Sequence, residues 1–206
     1  DWIMSTAPTW YSTIFGPYIF SGSVVSSLSV IILTIFALQR AGLLKQAITE
    51  EHQHDLGKLL FGFSIFWAYM AYSQFFLIWY SNIPEETTWY MRRWYDVTQL
   101  VGDEHAKLPM GHWAYVSVAL VLGHFAIPLF SLISRTAKRS KLILGTMAAL
   151  LLVAHYIDIY WLIMPEFQRK PHFEWTDVTA IVGLMSFVGG IFIYRLGNAP
   201  LVPVKD

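Results

Sequence analysis

Two ionisable residues, His155 and Asp158, lie inside one apolar run at 142–164. An aspartate at the centre of a membrane helix costs roughly 2.5–3.5 kcal/mol on insertion scales. Such a group usually faces a bundle interior or a wet cavity and has a partner. Residues three apart share a helix face, so the imidazole and the carboxylate point the same way. Both can bind and release a proton. Functionally the pair reads as a proton relay or as a site that deprotonates a bound reductant; structurally it reads as two groups hydrogen-bonded across a bundle. His124, near the middle of another apolar run, is a relay member, an axial haem ligand together with His155, or an imidazole satisfied by a neighbour. Gln74 is a donor to a quinone carbonyl or to a neighbouring helix.

The segment Glu50-Glu-His-Gln-His-Asp55 gathers acids and imidazoles before a third apolar run. Glu51, His54 and Asp55 read as a proton-entry mouth, as a solvated helix start whose acids suit the positive N-terminal dipole, or as a metal cluster. Glu85 and Glu86 lie at the start of a long loop and are candidates for a proton exit. There is no H-E-x-x-H, P-loop or Gly-rich nucleotide fingerprint, and no nucleophile beside a base.

These residues must be placed by helices. The chain has 206 residues, 55% hydrophobic and 14% charged, with a mean hydropathy of +0.47. That is too apolar for an ordinary soluble domain. Five runs, at about 18–38, 58–80, 113–133, 142–164 and 178–194, are long enough to cross the roughly 30 Å hydrocarbon core. None alternates as a barrel strand would. The fold class expected is therefore all-α, a single integral membrane bundle of five spans. Aromatics make up 17% of the residues, and Trp and Tyr favour membrane interfaces. The loop stretch Trp89–Asp96, with Tyr90 and Trp94 four apart and Met91 and Tyr95 likewise, reads as a short amphipathic helix at the interface.

Fourteen basic residues balance fourteen acidic ones, which gives no ground for nucleic-acid binding. The absence of cysteine excludes disulfides, thiolate metal sites and Cys-held iron–sulfur clusters within this chain. Arg135, Lys138, Arg139 and Lys141 cluster between spans three and four with no acid among them. By the positive-inside rule that loop is cytoplasmic, which puts Glu85, Glu86, Asp96, Asp103, Glu104, Glu166, Glu174 and Asp177 outside. Asp158 then lies about six residues, roughly 9 Å, from the outer end of its span. Serines and a glycine at 21–29 read as a packing face or a hydroxyl-lined path. The chain opens on Asp1 without a signal-peptide pattern, and the expectation is that it is part of a longer protein.

The stretches at 54–60, Phe66-Trp-Ala-Tyr69 and 73–87, the last ending in Ile-Pro-Glu-Glu-Thr87, carry a resemblance over essentially the whole chain. The opening Asp1-Trp-Ile-Met4 and the closing residues 200–206 fit the same pattern. The chain resembles the ActF-type membrane subunits of bacterial alternative complex III, in the NrfD/PsrC-like superfamily. The resemblance implies a quinol:electron-acceptor oxidoreductase in the bacterial inner membrane, and a subunit of about twice as many spans, of which these are the C-terminal half. It implies a sister quinone-binding membrane subunit, an iron–sulfur subunit and multihaem cytochrome c subunits as partners. The iron–sulfur clusters and haem c would belong to those partners, with quinol as substrate and no redox metal held by this chain alone. Asp158 is then the expected proton acceptor, His155 the group tuning it, and His124 an inward extension. A haem b-type anchor and a purely structural assembly subunit are the alternatives.

Overall fold

The computed structural model describes residues 2–96 and 109–197. Asp1, Asp103, Glu104 and residues 200–206, all part of the sequence reading, lie outside the described residues. Helices α1 (Phe15–Arg40), α2 (Glu50–Ser81) and α3 (Pro84–Trp94) are followed by α4 (His112–Leu120), a π-helical turn (Val121–Ala126) and α5 (Ile127–Leu132). Then come α6 (Arg135–Arg139), α7 (Lys141–Ile163) and α8 (Trp175–Gly197). Among the described residues there is no strand, only an isolated bridge between Tyr95 and Met110. Five helical stretches are long and apolar enough to span a membrane: α1, α2, α4 through α5, α7 with its 3₁₀ extension, and α8. The chain is an all-α, multi-pass membrane protein.

The ends of these helices follow from local chemistry. Thr49 opens α2 with a capping box in which His52 takes the place of the usual Glu, and Glu50 and Glu51 fill the first turn. Gly42, at φ 92°, ends α1 in the left-handed region that only glycine enters freely. Asn82, also left-handed, terminates α2, and Pro84 starts α3.

Four spans form the bundle. Helix α1 packs on α2 and α7, and the third span packs on the same two helices from the other side. Lipid tails are as apolar as leucine, so helix association in a membrane depends on close packing and hydrogen bonds rather than on apolar burial. The small residues serve that end. The α-carbon of Gly22 faces the His155 ring so closely that a β-carbon would sit 2.7 Å from its Cε1. The serine hydroxyls of 21–29 bond carbonyls of their own helix; Ser21 and Ser29 are buried in the packing face with Gly22 and Val25, while Ser23 and Ser27 are exposed. Gly22→Ala should therefore displace His155 and destabilise the bundle by about 1–3 kcal/mol. A lowered thermal midpoint in detergent checks this, and an unchanged midpoint would show that the ring moves freely.

The fifth span differs from the expected single bundle. No residue of α8 is buried, and its large apolar side chains, among them Val182, Leu184, Met185, Phe187 and Val188, are exposed. A helix apolar all round needs lipid or other helices around it.

At the end carrying the basic loop, the charges are engaged. Lys138 is buried and donates to the carbonyls of Leu132 and Ile133 at 2.9 and 3.3 Å, closing the C-terminus of α5. Arg139 pairs with Glu51, Asp55 with Lys58 at 2.7 Å, and Lys141 donates to Gln39.

Candidate functional site

Asp158 is the centre of the bundle's polar chemistry. It is 1% exposed, and its two carboxylate oxygens are taken by different helices. The Tyr18 hydroxyl of α1 donates to Oδ1, and the Trp67 indole N–H of α2 donates to Oδ2 at 3.1 Å. Among the described residues no basic side chain pairs with it. A buried carboxylate without a cation is held here by two neutral donors. That arrangement keeps the group in place in either protonation state, because the carboxyl still accepts both bonds when it carries a proton.

His155 lies one turn back on the same face but makes no hydrogen bond to Asp158. Its ring rests against Gly22, and its Nδ1 is buried without a partner. His124 is fully buried, with neither ring nitrogen bonded. Its ring stacks on Trp67 at 3.8 Å between centroids and meets His155 edge to face at 6.1 Å. Trp67 thus links the carboxylate to His124, and His124 in turn meets His155. The His124 ring lies one stacking contact from the indole that holds the Asp158 carboxylate.

The backbone around His124 explains how it reaches that place. Pro128 has no N–H for the His124 carbonyl, and its ring would clash with that carbonyl in a regular α-helix. The chain widens to a π turn, with Ile127 N–H bonding the Leu122 carbonyl five residues back. Such turns recur at functional sites. Gly123-His124 followed by Pro128 is the sequence signal for it.

Below this tier the core is mainly apolar, and the buried hydroxyls there, Ser29 and Ser64, bond carbonyls of their own helices. Val25, Ile32, Leu60, Leu144, Ala148 and Leu151 are 0–1% exposed, and they separate Asp158 from the polar groups at the basic end. From Asp158 to Leu144 is fourteen residues, roughly 21 Å along the helix. Glu51, His54 and Asp55 lie beyond that layer and are not brought to the site. His54 Nδ1 is buried and unbonded, while Glu51 and Asp55 hold the ion pairs described above. Among the described residues no group of three or more His, Asp and Glu is placed to hold a metal ion.

On the opposite side of Asp158 lies a cavity of about 590 Å³. Tyr18, Trp67, Gln74, Tyr90, Ser117 and Trp161 are among its walls, which come from α1, α2, α3, α4 and α7. Gln74 Oε1 accepts from Ser12 at 2.5 Å. Helix α3 closes the end of the cavity. Trp89 is stacked between Trp10, 4.5 Å away, and the Arg93 guanidinium, 3.4 Å away. Arg93 is fully buried, donates to the carbonyls of Trp89 and Leu162, and pairs with Glu166 at 3.3 Å. Arg92 pairs with Glu166 at 2.6 Å. Burial lowers the Arg93 guanidinium to about 10, with Glu166 opposing the shift, so it stays charged at neutral pH. The buried residues of α3 are therefore Trp89 and Arg93; of the two spaced pairs, Tyr90, Trp94 and Met91 are partly buried and Tyr95 is exposed. Glu85 and Glu86 stand in the first turn of α3 and make no contact with Asp158.

Tyr18, Trp67, Trp161 and Arg93 are the site residues the sequence reading missed. No protein-family model matches this chain, and no curated protein does either.

Proposed function

We propose that this chain is an integral membrane subunit of a quinol:electron-acceptor oxidoreductase of the alternative complex III type. In this reading it moves protons from quinol oxidation through Asp158. Oxidising a quinol to a quinone yields two electrons and two protons. The electrons pass to iron–sulfur clusters and c-type haems of partner subunits; the protons need a titratable group at depth. The observation that supports the reading is a fully buried carboxylate held by Tyr18 and Trp67, with no cation paired to it among the described residues, beside an aromatic cavity.

Asp158 is the acceptor. Tyr18, which touches both the carboxylate and the cavity, is the bridge between them. The hydroxyl can pass a proton to Oδ1 and take one from the cavity side, so the net transfer leaves the tyrosine unchanged. His155 and His124 form a second rank beside the carboxylate's Trp67 partner, with no hydrogen bond to the carboxylate itself. The closely packed, mainly apolar layer beneath makes proton exchange one-sided, toward the end that carries α3. By the distribution of basic residues that end is the outer, periplasmic one, and the N-terminal end of α1 lies there too. The membrane is the bacterial inner membrane, and a sister quinone-binding subunit, an iron–sulfur subunit and multihaem cytochromes complete the assembly.

The experiment is quinol oxidation by the assembled complex carrying Asp158→Asn. Loss of turnover and of proton release supports the reading; normal turnover rejects it.

A further inference from the structure

A second cavity, of about 530 Å³, opens at the end of the bundle that carries α3. Its walls come from the end of α3, the start of α4 and the segment after α7. Unlike the aromatic cavity, it is lined by charge: Arg92, Asp96, His112, Glu166, Arg169 and Lys170. The walls are tied together. The Gly111 N–H donates to the Trp94 carbonyl at 2.9 Å, and the Trp113 indole N–H donates to the Gln168 carbonyl at 3.0 Å. Glu166 is already shared by Arg92 and Arg93. Arg169 and Lys170 are exposed, and neither has an acidic partner among the described residues. With Arg93 counted, four cations stand here against the carboxylates of Asp96 and Glu166, an excess that draws in an anion.

The cavity lies where the third span starts, at His112, and the fourth ends, at Glu166. That is the headgroup level of a bilayer crossed by these helices. Tyr95 in its wall and Tyr115 one turn below are exposed, and tyrosine favours that level. Tyr115 and Ala119 lie three and seven residues after His112, share its face of the helix and are exposed. We infer that this cavity binds the phosphate of an anionic phospholipid. The phosphate accepts from Arg169, Lys170 and the Arg92 nitrogens not given to Glu166, and an acyl chain lies along the strip of Tyr115 and Ala119. Free phosphate would meet the same cations but would make no use of that strip. The continuity of the charged cavity with an exposed apolar face selects the lipid. The inference does not depend on the quinol reading.

The test uses the protein purified in its native assembly, placed in phosphatidylcholine nanodiscs doped with a phosphatidylglycerol that carries a diazirine in one acyl chain. Labelling is expected on the peptide covering 112–123, about tenfold above that from a phosphatidylcholine probe with the same chains. Arg169→Gln and Lys170→Gln should each lower this preference about three- to fivefold, and the double variant should bring the two probes to parity. Arg169→Lys keeps the charge and should keep the preference. Both side chains are exposed, so these changes leave the packing intact. Equal labelling by the two probes in the unaltered protein overturns the inference, as does a preference indifferent to the double variant. Suppression by millimolar inorganic phosphate at constant ionic strength would make this a site for the free anion and overturn the lipid assignment. Protection of Lys170 from amine acylation after delipidation would place a partner's acidic segment here, with the same consequence.

Discussion

Asp158→Asn should lower quinol oxidation by the assembled complex by about a hundredfold or more, the range of lost acid–base catalysis. The amide is nearly the same size as the carboxyl. Its oxygen can still accept one of the two bonds from Tyr18 and Trp67, so the helices have every reason to stay in place. What it cannot do is bind and release a proton. His155 does not substitute for it, because its ring rests on Gly22 and makes no bond to the Asp158 carboxylate. Proton release measured with a pH dye should fall in parallel with electron transfer. A variant that assembles, keeps its partner haems reducible by a chemical donor, and still oxidises quinol normally would show that Asp158 is structural.

The second large effect is on stability. Arg93→Met should cost about 3–5 kcal/mol, the range found when one partner of a buried ion pair is removed. Three losses coincide. The carbonyls of Trp89 and Leu162 lose their donor, Glu166, with its side chain 5% exposed, keeps only Arg92, and the Trp89 ring loses the cation on its face. Adding Glu166→Gln should cost less than the sum of the two single changes, since the second removes a buried charge that the first has left with one of its two partners. Denaturant titration of the solubilised protein gives the values. Strict additivity would mean that the two residues do not act as a pair. The same variant should open the end of the cavity, because α3 is fastened to α7 through Arg93.

Much of this was legible in the chain, and what was not has physical reasons. Ionisable residues inside apolar runs stand out because they are costly there, and that alone found Asp158, His155 and His124. The partners of Asp158 did not stand out. Tyr18 and Trp67 are two among many aromatic residues, and they lie 140 and 91 positions away along the chain. Helical spacing placed His155 and Asp158 on one face correctly, but sharing a face is not bonding. Donors from α1 and α2 reach the carboxylate instead. For α3 the spacing found the helix but did not say which residues it buries, since the burial of Arg93 depends on Glu166, 73 residues on. The five apolar runs marked five spans. Length and hydropathy do not say whether a span packs on its neighbours, and α8 does not. The π turn was readable in principle, from a proline four residues after a buried histidine.

The most direct measurement is the infrared difference spectrum of the complex between its quinol-reduced and oxidised states. The account predicts a carboxyl C=O band that changes with the redox step, shifts in D₂O and vanishes in Asp158→Asn while the amide bands persist. A spectrum with no such band, or with a band that survives the substitution, would contradict it.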